Sequence, residues 1–205
     1  MSDESETRTE LRERLRELRR QLPAEQRSVA EHAAARRLEQ FLGSQPPGLF
    51  GTYMPTDGEL DINHAADNLR DMGWRVFLPV LQADLHMEFA EWVAAEPLLP
   101  NRFGILEPAA PNELLSASSL NVVVVPCVAL DESGNRLGFG AGYYDRAFSG
   151  QVAGTGRGPR LVGCAFDLQF VQGLVAEPWD VPMQYLLTES KLSLVTPPAP
   201  DLSGA

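Results

Sequence analysis

An apolar run at residues 122–130, VVVVPCVAL, places the strongest constraint on the fold of this chain. Four consecutive valines are typical of a strand that is buried on both faces, as in the centre of a parallel sheet. Alternating strands and helices around it predict an α/β fold, with a mostly parallel sheet and helices on both faces. Further strand-like runs lie at residues 49–54, 75–80, 87–92, 160–166 and 184–188, and helical segments at residues 62–72, 112–116 and 143–148.

The beginning of the chain predicts a pair of helices. Leucines at helical spacing indicate a charged helix over residues 9–22, and a second helix over residues 24–42 follows Pro23. We expect residues 1–43 to pack as a helical pair on a single domain that spans residues 1–195.

Three further segments carry expectations of their own. Residues 87–92 follow a short polar turn, so we expect them to form one antiparallel strand at the edge of the sheet. The glycine-rich residues 151–159 indicate a mobile loop. Residues 196–205, rich in Pro, Ser and Gly, indicate a disordered tail.

A glycine-rich stretch follows the apolar run, in the sequence RLGFGAGYYDR at residues 136–146. Glycines at alternate positions allow positive φ and let a ligand approach the backbone, and exposed N–H groups before a helix bind anions such as phosphate. Arg136 adds a positive charge, and Asp145 adds a hard oxygen ligand of the kind that Mg²⁺ prefers. The spacing matches neither a Walker loop nor a dinucleotide fingerprint. A nucleotide site is the functional interpretation, and a purely structural turn is the alternative.

The composition limits the classes of partner that we expect. The chain carries 28 acidic and 17 basic residues, a net charge of −11, which argues against general nucleic-acid binding. No run approaches the roughly 20 apolar residues of a membrane span, and the first ten residues do not resemble a signal peptide. We therefore expect a cytoplasmic protein with no nucleic acid or membrane partner, and a monomer. Cys127 and Cys164 lie in apolar runs and are expected to be buried and reduced.

The glycine-rich stretch resembles the signature of the 5-formyltetrahydrofolate cyclo-ligase family, also called 5,10-methenyltetrahydrofolate synthetase. Residues 136–146 match the family pattern R-L-G-x-G-x-G-Y-Y-D-R in full. Weaker resemblances occur in the same order as in the family and extend over residues 8–188. They are Arg8 and Arg12 in the first helix, the segment YMPTDGELD at residues 53–61, GILEP at residues 104–108 and PCVALD at residues 126–131.

The resemblance implies an activity and its small molecules. The family closes a ring in 5-formyltetrahydrofolate to give 5,10-methenyltetrahydrofolate, with ATP as co-substrate and Mg²⁺ as cofactor, and releases ADP and phosphate. A phosphorylated formyl group is the implied intermediate.

The resemblance also implies roles for individual residues. The implied catalytic residues are Arg136, Tyr143 and Asp145. The implied ATP contacts are Arg8, Arg12, Arg136, Leu137, Gly138, Phe139, Gly140, Ala141, Gly142, Tyr143 and Tyr144. The implied folate contacts are Met54, Glu59, Phe139, Gly140, Ala141, Gly142 and Tyr143. The implied metal ligands are Asp145 and Asp180.

Plainer interpretations of several of these residues remain open. Tyr143 could be a core aromatic at a helix start, and Glu59 and Asp180 could be turn residues. The arginines of the first helix could form a solvated face. Two other functions also remain open: a different nucleotide-dependent enzyme, and a regulatory protein that binds folate or nucleotide without turnover.

Overall fold

The computed structural model describes residues 6–150 and 158–196. Most of the predicted loop at residues 151–159, and residues 197–205 of the predicted tail, lie outside the described residues. The helices are α1 (Arg8–Arg20), α2 (Ala24–Gly43), α3 (Ala66–Asp71) and α4 (Tyr143–Phe148). The strands are β1 (Leu49–Gly51), β2 (Arg75–Leu81), β3 (Met87–Glu91), β4 (Leu98–Pro100), β5 (Leu106–Pro108), β6 (Leu114–Ser116), β7 (Val122–Pro126), β8 (Ala129–Leu130), β9 (Arg136–Leu137), β10 (Arg160–Cys164), β11 (Tyr185–Leu187) and β12 (Leu192–Leu194).

The main sheet is mostly parallel, which confirms the predicted fold class. Its strand order is β12-β11-β10-β7-β1-β2-β3-β6, and the five strands from β11 to β2 are parallel to one another. Strand β7 lies between β10 and β1, and its four valines are fully buried. The valine run therefore forms a central strand, as its composition predicts.

The antiparallel part of the sheet is larger than predicted. Strand β3 does pair antiparallel with β2, but it is not at the edge, because β6 pairs with its other side. A third antiparallel strand, β12, lies at the opposite edge. The helix expected over residues 112–116 is wrong, because this segment contains β6. Leu115 pairs there with the buried Phe89, so tertiary pairing overrides a weak local preference.

Helices cover both faces of the sheet, as predicted. Val122 and Val124 point to the face covered by α2 and α3, where Leu38 and Leu69 are buried. The alternate residues Val123 and Val125 point to the face covered by α4 and its buried Phe148.

Helix α1 packs apart from these two layers. Its Leu15 is buried with Val128, Ala129 and Leu137, in a small cluster beside the antiparallel pair β8–β9. A capping box between Thr7 and Glu10 satisfies N–H groups at the start of the helix. The predicted helical pair is present, and α1 lies against the strands that lead into the glycine-rich stretch.

Candidate active site

A large cavity opens at the carboxyl ends of the central parallel strands. It has a volume of about 1160 Å³, and it is lined by Met54, which follows β1, by Leu81 at the end of β2 and by Pro126 at the end of β7. The chain continues from β1 to β2 on one side and from β7 to β10 on the other, so the strand order reverses between β1 and β7. This topological switch point is where open α/β sheets bind their ligands.

The glycine-rich stretch forms a loop between β9 and α4 along one wall of this cavity. Two of its glycines require a left-handed backbone, with φ of 107° at Gly140 and 70° at Gly142. Gly138, the third glycine of the motif, is outside that region, so its conformation does not by itself require glycine. Arg12 holds the loop from α1, because its Nε donates to the carbonyl oxygen of Gly138 at 2.8 Å.

The two carboxylates predicted to bind metal both line the cavity, and each is paired with an arginine. Asp145 is paired with Arg136 and accepts the N–H of Val181 at 3.2 Å. Asp180 accepts hydrogen bonds from both terminal nitrogens of Arg8 at 3.0 Å. Asp145 therefore lies against the peptide that follows Asp180, and the two acidic side chains occupy the same end of the cavity.

A turn after β1 brings Glu59 to the cavity. Its carboxylate accepts the N–H of Thr56 at 2.9 Å and the hydroxyl of Thr56 at 3.3 Å, and the residue is only 6% exposed. Burial outweighs these hydrogen bonds and a nearby arginine, and raises the pKa of Glu59 to about 7. Met54 lies on the same wall.

Tyr143, the first residue of α4, is buried but reaches the cavity. Its hydroxyl oxygen accepts a hydrogen bond from Nη2 of Arg102 at 2.9 Å, and its ring meets the edge of Phe103 with centroids 6.3 Å apart. Because the oxygen accepts from Arg102, the hydroxyl hydrogen is free to be donated to another group.

The structure therefore brings together all but one of the predicted site residues. The lining includes Arg8, Arg12, Met54, Glu59, Arg136, Gly138, Phe139, Gly140, Ala141, Gly142, Tyr143, Tyr144, Asp145 and Asp180. Leu137 is not among them, because its side chain is buried beside Leu15 of α1.

Comparison with known proteins identifies the family. The model of the 5-formyltetrahydrofolate cyclo-ligase family matches residues 4–189. The chain belongs to this family. The match confirms the resemblance and the prediction of a ligase of folate metabolism.

Relatives and solved structures agree with this assignment. The 5-formyltetrahydrofolate cyclo-ligase of Escherichia coli K12 is 35% identical over 182 residues, which cover 87% of this chain and 98% of that protein. The enzyme of the same name from Haemophilus influenzae is 30% identical over 87% and 96% of the two chains. The 5,10-methenyltetrahydrofolate synthetase of Aquifex aeolicus superimposes with a TM-score of 0.77, at 26% identity, over 92% of each chain.

Several cyclo-ligase residues at this cavity were not identified from the sequence. Thr56, Asp57, Phe103 and Trp179 line it without having been given a role; Thr56 and Asp57 lie inside the segment at residues 53–61 that resembles the family, and Trp179 precedes Asp180. The exposed aromatic Phe103 precedes the GILEP segment, and its exposure depends on the β4–β5 hairpin. No periodicity marks such a residue in advance.

Two further findings bear on the predicted partners. Across residues 6–150 and 158–196, no helix is both long and apolar enough to cross a bilayer. Within the same residues, no group of three or more His, Cys, Asp or Glu side chains is arranged to hold a metal ion.

Cys127 and Cys164 are free and buried, as predicted.

Proposed function

We propose that this protein cyclises 5-formyltetrahydrofolate to 5,10-methenyltetrahydrofolate and converts ATP to ADP and phosphate. One observation carries the proposal. A single cavity at the switch point of the sheet is lined by the glycine loop, by two arginines of α1, by two paired carboxylates and by the buried Glu59. Its volume of about 1160 Å³ leaves room for more than one small molecule.

The proposed chemistry needs two displacement steps and no covalent bond to the protein. The formyl oxygen attacks the γ-phosphorus of ATP, the bond to ADP breaks, and the formyl carbon becomes activated. N10 of the folate then attacks this carbon and loses its proton, and the carbon–oxygen bond breaks as phosphate leaves. Positioning and charge stabilisation supply the catalysis in such reactions. Burial raises the pKa of Cys127 to about 12, so this thiol is not suited to act as a nucleophile.

In this proposal the arginines and the glycine loop bind the nucleotide phosphates. Arg12 reaches the loop from α1, and Arg136 lies beneath it with its Nε buried and without a hydrogen-bond partner among the described residues. An orphaned guanidinium N–H beside a loop with φ of 107° and 70° is suited to an anion. Arg8 stands at the same end of the cavity.

The residues present fit a magnesium ion bound together with the nucleotide. Mg²⁺ usually keeps several waters and takes one or two carboxylates plus phosphate oxygens, so a cluster of three acidic residues is not required. Asp145 and Asp180 are the carboxylates that would hold it, and they are paired with Arg136 and Arg8 in the structure. When bound, the ion would neutralise charge that develops on the transferred phosphoryl group.

The other end of the cavity would hold the folate. Glu59 is placed to accept hydrogen bonds from the guanidine-like edge of the pterin, and Met54 offers an apolar contact. Tyr143 would donate its hydroxyl hydrogen to the formyl or phosphoryl oxygen, because Arg102 already donates to its oxygen. Phe139, Gly140, Ala141 and Gly142 line the same cavity and would contact the folate as well as the nucleotide.

A single assay separates turnover from binding. The absorbance rise of methenyltetrahydrofolate is followed with and without ATP and Mg²⁺, and ADP is measured in parallel. We expect equal amounts of both products, and only when ATP is present. Thermal stabilisation by both ligands without absorbance change or ADP would instead support the regulatory protein that binds without turnover.

The remaining expectations stay predictions. We propose one domain over residues 1–195, a monomer, a cytoplasmic location, and no nucleic acid or membrane partner. The net charge of −11 supports the absence of a nucleic acid partner.

A further inference from the structure

The turn that carries Glu59 has an unusual backbone. The N–H of Glu59 donates to the carbonyl oxygen of Thr56 at 3.0 Å, which closes a four-residue turn. The two central residues, Asp57 and Gly58, have φ of 51° and 76°. Positive φ at both positions is the pattern of a type I′ turn, for which Asp-Gly is a preferred sequence. The conformation exposes the Asp57 carboxylate to α1 and directs Glu59 to the cavity.

Three arginines of α1 converge on that one carboxylate. Oδ2 of Asp57 accepts hydrogen bonds from Nε of Arg16 at 2.7 Å and from Nη2 of Arg19 at 3.1 Å. Oδ1 accepts a hydrogen bond from Nε of Arg20 at 2.5 Å. Arg19 is fully buried, and its Nε also donates to the backbone oxygen of Asp57 at 3.0 Å. Burial alone would raise the pKa of Asp57, but the hydrogen bonds from Arg16 and Arg20 outweigh it and lower the pKa to about 2. The carboxylate is therefore ionised at every working pH.

A second arginine contact fixes the same turn from α2. Nη1 of Arg27 donates to the carbonyl oxygen of Gly58 at 2.8 Å. The turn thus receives hydrogen bonds from both N-terminal helices, on its side chain and on its backbone. Far fewer contacts would suffice to close a surface turn of four residues, which indicates that its placement matters.

The same helix also contacts the glycine loop and Asp180, which line the same cavity. Arg12 donates to the glycine loop at Gly138, and one turn earlier Arg8 is paired with Asp180. The guanidiniums of Arg16 and Arg19 lie 4.8 and 5.2 Å from the ring centroid of Phe139 in that loop. Helix α1 therefore touches both the glycine loop and the Glu59 turn, and its Arg16 and Arg19 contact both.

We propose that Asp57 is a positioning residue that couples the two halves of the active site through α1. A nucleotide whose phosphates bind Arg8 and Arg12 fixes the position of α1. Because three arginines of α1 bind Asp57, the position of α1 in turn fixes the position of the turn that carries Glu59. Binding at either end then favours the arrangement that the other end needs. The inference rests on the proposed function, which identifies the nucleotide and folate ends.

The test is to measure the affinity of each ligand with and without the other. Calorimetry gives the affinities of 5-formyltetrahydrofolate and of a non-hydrolysable ATP analogue, each alone and with the other at saturation. We expect each ligand to tighten the other by about fivefold or more, and by the same factor in both directions, as linkage requires.

Asp57→Asn removes the charge while preserving the turn. Asn tolerates a left-handed backbone as Asp does, and the backbone oxygens of Asp57 and Gly58 keep their arginine donors. We expect this variant to bind 5-formyltetrahydrofolate more weakly and to lose most of the coupling factor. Its KM for folate should rise more than its kcat falls, because Glu59 is displaced rather than removed.

Glu17→Gln is the matched control. Glu17 lies on α1 and accepts Nη1 of Arg20 at 3.1 Å, so the change removes an arginine partner and one charge without touching the turn. The control should keep the wild-type coupling factor. An unchanged coupling factor in Asp57→Asn, or an equal loss in Glu17→Gln, would overturn the proposal.

Two further outcomes are also decisive. If Asp57→Asn does not fold, the double variant Arg16→Gln, Arg20→Gln removes the two partly exposed partners of the carboxylate, and unchanged coupling in that variant would refute the role of Asp57. If both ligands bind the wild-type protein independently, this inference fails and the proposed function stands. If neither ligand binds, the proposed function fails as well.

Discussion

Replacing the buried Glu59 by Gln should remove one contribution to the pH dependence of the free energy of unfolding. Burial raises the pKa of this carboxyl from an ordinary 4.5 to about 7 in the folded protein. Between these two values the folded state binds more protons than the unfolded state, so the free energy of unfolding falls as pH rises. The difference of 2.5 between about 7 and 4.5 corresponds to about 3 kcal/mol, all of it lost above the folded pKa. Gln cannot ionise, and its amide oxygen can still accept from Thr56.

We therefore expect Glu59→Gln to be the more stable protein at pH 8, by up to about 3 kcal/mol, and to differ little from wild type at pH 4.5. Urea unfolding of the ligand-free proteins at both pH values gives the two free energies. Glu132→Gln, a change at an exposed residue, controls for the loss of one carboxyl. The reasoning is refuted if wild type and Glu59→Gln lose the same stability between pH 4.5 and pH 8.

Three other substitutions test separate parts of the site. Asp145→Asn should abolish Mg²⁺-supported turnover and cost about 3 kcal/mol of stability in urea, because the buried Arg136 loses its counter-charge; near-normal turnover at saturating Mg²⁺ would remove Asp145 from the metal role. Gly140→Val should raise the KM for ATP more than that for folate, because a β-branched residue resists a φ of 107°; an unchanged KM for ATP would contradict the loop assignment. Arg102→Gln should slow turnover in wild type but have no further effect in a Tyr143→Phe background, and independent, additive losses in this double-mutant cycle would exclude a role through Tyr143.

Local signals account for the features that the sequence predicted correctly. The four consecutive valines of β7 are typical of a strand buried on both faces, and all four are buried. The glycine-rich sequence predicted a loop with positive φ, and Gly140 and Gly142 have positive φ in the structure. Residues 112–116, NELLS, gave no such signal, since their apolar and polar residues do not alternate and five residues are too few to show a helical period. Their pairing with β3 depends on Phe89, more than 20 residues away, and it also moves β3 from the edge to the interior of the sheet.

The ion pairs of the site could not be predicted, because each joins residues that are distant in sequence or are usually interpreted separately. Arg8 and Asp180 were both identified, but as a phosphate contact and a metal ligand, and the structure pairs them with each other. Sequence alone assigns a role to each side chain and does not show that these roles compete. Both acidic side chains predicted to bind metal are paired with arginines predicted to bind phosphate.

In helix α1 the burial of the side chains differs from the burial that the leucine spacing predicts. Its leucine spacing predicts an apolar face that includes Leu18, yet Leu18 is 42% exposed while Arg19 is fully buried. A buried guanidinium is tolerable only with a fixed counter-charge, and Asp57, 38 residues away, supplies it. Six of the 17 basic residues of the chain fall within the 13 residues of this helix. A protein with a net charge of −11 can thus concentrate basic residues along one helix, because placement rather than composition sets the local field.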